Sequence, residues 1–191
     1  MEQIKEMTAQ ESLRLISETM NNSRRDILSN NAKYYVLWGC LLTIFSLFIY
    51  FMWHFTGKAS WNFLWFVLPM IGYPFASLLR KKDVALPQSF VGSLTGKVWS
   101  VFGLFAVTLS AIAIFLVPIP ITLTIVILLG MAESISGVIL KNWPIIIGGF
   151  ILGVGGAIAA TLLKTEAQIL LFTLGGVVLA VTGLIIKLQN K

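Results

Sequence analysis

Glu133 is the residue with the most chemical potential in this sequence, because it interrupts the apolar run "ITLTIVILLGMAESISGVIL" at 121–140. A carboxylate inside a stretch of membrane-span length is costly, and it marks a substrate or ion pathway by default. At about 100° per residue on a helix, Thr122, Gly130, Ser136 and Gly137 share its face. Ile127, Leu128, Met131, Ile135, Val138 and Ile139 lie opposite. Glu133 precedes Lys141 by eight residues, about 12 Å at helical rise and so near the middle of a bilayer. With Lys and Arg confined to span ends, desolvation favours the uncharged acid there. Such an acid has a proton to donate. The expected site joins Glu133 to Ser136 and to Tyr73 of the second span, where Pro74 frees the Met70 carbonyl. Two roles follow: a hydrogen-bonded lock between spans two and four, or a site that exchanges a proton or cation.

Other reactive side chains are few. His54 is the only histidine and sits among Trp and Phe at one end of the first apolar run, as an interfacial residue would. Cys40 is the single cysteine, so a disulfide within the chain and a thiolate metal set are excluded. Metal-ligand spacings, phosphate-cradling loops and cofactor motifs are absent. The expectation is a protein that is not an enzyme and carries no metal or cofactor.

The elements that must hold Glu133 follow from composition. Of 191 residues, 57% are hydrophobic and 12% charged, about half the charge of an ordinary soluble domain. A span takes roughly 20 apolar residues, and six runs qualify: 34–55, 59–79, 98–117, 121–140, 142–163 and 167–186. They are continuous, not alternating, which favours helices over a membrane barrel. The expected fold is an all-α integral membrane protein of six transmembrane helices arranged as three sequential hairpins. Residues 34–191 form that domain, and 1–33 form a short cytoplasmic amino-terminal segment.

Both ends of a six-span chain share one side. That side holds twelve of the 14 basic residues, and only Lys58 and Lys164 fall on the other. The positive-inside rule makes it the cytoplasm, in a bacterial inner membrane. The net charge of +6 is thereby assigned to topology and not to nucleic acid. The first 33 residues lack an apolar signal-peptide core, so the first span is expected to be an uncleaved anchor. Similar openings ("KVW", "KNW") and closings ("GMAESISGVILK", "GVVLAVTGLIIK") hint at repetition between the last two hairpins.

In the amino-terminal segment "TAQE" is a capping box, with Thr8 as cap and Glu11 as its partner. Leu13, Ile16, Met20 and Ile27 form a stripe, Arg14 and Glu18 pair at i, i+4, and "NNS" at 21–23 is expected to interrupt the helix. The stripe is expected to pack on the protein itself, with the inner leaflet or a cytoplasmic protein partner as alternatives. Pro87 suits the start of a short helix in the loop after span two. Pro69, Gly72 and Pro74 predict a kinked second span that faces protein, not lipid. Gly149, Gly153 and Gly176 stand at small-residue spacings for close helix packing, within the chain or across a homo-oligomer.

Together "ESLRLISETMNNSRRDI" and "YYVLWG" resemble the start of a family of uncharacterised small multi-pass bacterial membrane proteins. The glycine-spaced final hairpins are loosely similar to small six-span acid-resistance membrane proteins. Neither resemblance implies a catalytic residue. The lipid bilayer is the expected surrounding. The function classes left standing are a small transporter or channel-like protein with an intramembrane acidic site, and a non-catalytic scaffold or regulatory subunit that binds its partner through the amino-terminal helix.

Overall fold

A computed structural model describes residues 9–81 and 90–189, with side chains at 10–22, 32–79 and 91–188. Thr8 and Pro87 lie outside the described residues. Among those described, every regular element is helical. The order is α1 (Ala9–Thr56), a 3₁₀ helix (Ala59–Phe66), α2 (Val67–Lys81), α3 (Phe90–Phe115), α4 (Ile121–Leu140), α5 (Trp143–Phe150), a π segment (Ile151–Gly155), α6 (Gly156–Leu162) and α7 (Ile169–Gln189). Six stretches are long and apolar enough to cross a membrane: Ala32–Thr56, Ala59–Leu79, Val91–Phe115, Ile121–Leu140, Trp143–Leu162 and Ile169–Leu188.

The expected break at Asn21–Ser23 is absent, and α1 runs unbroken for 48 residues. No Gly or Pro falls between Ala9 and Trp38, and Asn or Ser inside a helix costs only about 0.5 kcal/mol each relative to Ala. Arg14 and Glu18 pair at 2.9 Å on this stretch. Of the expected stripe, Leu13, Ile16 and Met20 are exposed and do not pack on the protein, and the Ile27 side chain lies outside those described. The reason is geometric: Ala32 of α1 packs against Gly183 of α7, and the continuous helix carries these residues beyond that contact. From Ala9 to Ala32 that extension is about 35 Å at helical rise.

The principal partner of α1 is the last helix, α7. Polar and small residues mark the seam. Ala32 O lies 2.7 Å from where a Cβ on Gly183 would sit, and Gly176 O and Ala180 N each lie 2.5 Å from one on Gly39. The hydroxyls of Ser46 and Thr173 bond at 2.8 Å, and His54 Nδ1 meets Glu166 Oε1 at 2.7 Å at the far end. Backbones at this range gain dispersion contacts and interhelical hydrogen bonds, which replace a hydrophobic drive where the surroundings are themselves apolar.

Span two does change helix type. Its 3₁₀ portion ends at Phe66 and continues directly into α2, with Pro69 in the first turn of α2. Pro74 sits inside α2. The expectation that this span faces protein is overturned: Met70, Tyr73, Phe75 and Leu78 are all more than half exposed. With α7 occupying the inner side of α1, α2 docks on the remaining side. There Trp38 of α1 lies against Gly72, its ring atoms 2.5 Å from the position a Cβ would take.

Span three starts at Val91, seven residues before the expected Val98. Val91 and Thr95 are buried one turn apart, and Val91 packs with Ala32, Tyr35 and Leu140. The glycines and hydroxyls of "VGSLTGK" read as loop, yet one face of them docks. Lys97 is therefore drawn inside the span.

Candidate functional site

The site is assembled by a tight turn and two glycine crossings. At the end of α4, Lys141 takes a left-handed conformation (φ 52°), and the Asn142 side chain accepts from Ile145 N–H at 3.2 Å to cap α5. That turn lays α5 back along α4. Gly130 of α4 then meets Gly149 and Gly153 so closely that a Cβ on Gly130 would lie 2.5 Å from Gly149 O. Ser134 adds a hydrogen bond to Ile146 O at 3.3 Å. The α1–α7 seam closes the other side.

Glu133 is fully enclosed between these pairs. Its Oε1 stands 3.2 Å from where a Cβ on Gly148 would lie, with Thr182 Oγ1 and Val178 Cγ1 each 3.4 Å from the same point. Gly148 thus leaves the space that the carboxyl fills. Tyr35 of α1 is buried, and its hydroxyl is within electrostatic reach of Glu133. Neither carboxyl oxygen of Glu133 has a hydrogen-bond partner among the described residues, and nor does the Tyr35 hydroxyl. Leaving such atoms unpaired costs about 1–3 kcal/mol each.

The expected trio is split. Ser136 is fully buried on the same helix, but its hydroxyl donates to Ala132 O at 2.8 Å. Tyr73 is 67% exposed and stands edge-on to Trp38 at 5.5 Å, so it belongs to the α1–α2 contact. The predicted lock between spans two and four is corrected on the same ground: α2 packs on α1 and the 3₁₀ helix, and Glu133 makes no hydrogen bond. Pro69, Gly72 and Pro74 shape span two away from the carboxyl. Gly149 and Gly153 build the crossing beside it, and Gly176 builds the α1–α7 seam.

Tyr35, Gly148 and Thr182 were missed by sequence reasoning. Tyr35 resembled its neighbours Tyr34 and Trp38 as a boundary aromatic. A signal did exist for the seam, since Gly39, Thr43 and Ser46 repeat at helical spacing opposite Gly176 and Thr173.

Chemically, one carboxyl with neutral hydroxyls around it can take up a proton or a single small cation. Among the described residues no three His, Cys, Asp or Glu gather to hold a metal ion. The π segment begins two residues beyond Gly149, contains Gly153 and packs on α4 and α7, and π turns recur at functional sites. No family model, curated protein or solved structure matches the chain.

Proposed function

We propose that the chain is a multi-pass protein of a bacterial cytoplasmic membrane, three out-and-back crossings with both termini inside, that acts as a small transporter or channel-like protein. Glu133 is its proton or cation site. One observation carries the reading: a fully enclosed carboxyl, midway along a candidate span, whose oxygens have no hydrogen-bond partner among the described residues. A structural lock would have used those oxygens. An acid kept at such cost without a structural bond is a functional residue by default. The neighbours are suited to the task. Tyr35 of α1 is buried within electrostatic reach of it, while Gly148 of α5 and Thr182 of α7 supply space and a hydroxyl. Lys33, near Tyr35 in sequence, turns instead to Leu79 O on α2 at 3.5 Å.

The test is proton flux into dye-loaded liposomes under an imposed potential. Wild type should carry a flux that Glu133→Gln abolishes and Tyr35→Phe reduces, with thermal midpoints unchanged. Equal flux from wild type and a folded Glu133→Gln variant would sink the proposal.

A second reading is a scaffold or regulatory subunit. It draws on the exposed Leu13, Ile16 and Met20 of the projecting part of α1. Removing residues 1–22 separates the two readings, since flux through Glu133 survives the truncation and partner binding does not.

A further inference from the structure

Lys97 poses a problem that Glu133 does not solve. It lies six residues into the third span counted from Val91, about 9 Å along the helix, and it is exposed. Glu133 is the only acid in any of the six spans, and it faces α5 and α7. Glu133 lies at a similar depth but is fully enclosed, so among the described residues no acid of the spans faces the ammonium. A second copy would bring none either, because its spans contain the same single, enclosed acid.

Beside Lys97 runs a groove between α3 and α4 of about 430 Å³. Leu94, Val101 and Phe105 line it from α3, and Met131 and Ile135 from α4, so that Lys97 is its one charged group. From Leu94 to Phe105 the groove extends about 16 Å at helical rise. That is close to one leaflet of a hydrocarbon core about 30 Å thick. A cation within one turn of the inner end of an apolar trough of that length matches an anionic headgroup with a chain below it. The lysine stem can carry its charge back toward headgroup level while its methylenes stay in the trough.

We infer that this groove binds one anionic phospholipid, with its phosphate on Lys97 and an acyl chain along Val101, Phe105 and Met131. The inference rests on the membrane reading above but not on transport.

The full-length protein is purified with a mixture of phosphatidylglycerol and phosphatidylcholine, and retained lipids are counted by native mass spectrometry. Wild type should keep one phosphatidylglycerol in preference to phosphatidylcholine. Lys97→Gln should lower that preference about fivefold, Lys97→Arg should keep it, and Val101→Trp should evict either lipid by filling the trough. Glycerol phosphate should not compete, since it brings no chain. An undiminished preference in Lys97→Gln overturns the inference, as does displacement by glycerol phosphate alone. A lipid-free dimer sealed through this face overturns it in favour of a second copy. Recovery of the chain in soluble form without lipid or detergent overturns both this inference and the membrane reading. Absent flux with lipid preference intact removes only the transport reading.

Discussion

A buried carboxyl stabilises a protein when it is bonded and destabilises it when it is not, and Glu133 is not. Glu133→Leu, close in volume and without polar atoms, should raise stability by about 1–3 kcal/mol. The measurement is an unfolding titration in detergent. A loss of similar size would show that the carboxyl is bonded after all and would revive the lock. Glycine identity matters at the same scale, but only where backbones touch. A Cβ on Gly39 would lie 2.5 Å from Ala180 N, whereas one on Gly103 would meet nothing within 4 Å. Gly39→Ala should therefore cost about 1–3 kcal/mol by prising α1 from α7. Gly103→Ala should be neutral or stabilising by up to about 1 kcal/mol. Equal effects from the two would mean that α1 and α7 do not cross there.

At the scale of elements, the π segment holds one residue more than an α turn would, so flanking faces keep their direction around it. Deleting Val154, which points outward, should let Ile151–Gly155 relax to α-helix with Gly149 and Ala160 still facing inward. Deleting Met131 from α4 has no such outlet. It would turn Glu133 about 100° away from Gly148. Monodisperse yield should survive the first deletion and fall sharply in the second, and comparable yields would argue against an absorbing π turn. The projecting part of α1 is independent in the opposite sense. Leu13, Ile16 and Met20 touch no core, so removal of residues 1–22 should leave the thermal midpoint of the bundle unchanged.

The whole molecule is built around two helix pairs, α1–α7 and α4–α5, with α2 and α3 outside them. None of the most apolar 18-residue stretch of α3 is buried, while half of the corresponding stretch of α7 is. The polar centre thus lies between the pairs, and the outer helices offer apolar surface to their surroundings. Orientation is a property of the same scale, set by the distribution of basic residues. A reporter that fluoresces only in the cytoplasm, fused after Lys191, should light up. A dark fusion together with an active periplasmic reporter at the same position would reverse the topology.

The sequence by itself determined that the described chain is helical, how many stretches are long and apolar enough to cross a membrane, and which side of α4 is polar. These are local properties: the length of an apolar run, and the 3.6-residue period that puts Gly130, Glu133, Ser136 and Gly137 together. Local period also exposed Gly149, Gly153 and Gly176 as packing residues, though not their partners. Only the tertiary structure decided that α7, and not α2, covers α1, because many apolar faces are interchangeable until backbone atoms interlock at Gly39, Gly176 and Gly183. That choice separated Tyr73 from Glu133 and brought in Tyr35, Gly148 and Thr182 instead. It also placed Lys97 within a span, since the docking of Val91 and Thr95 outweighed the loop-like composition around them. Which helices meet depends on contacts far apart in sequence, and no pattern within a single helix records them.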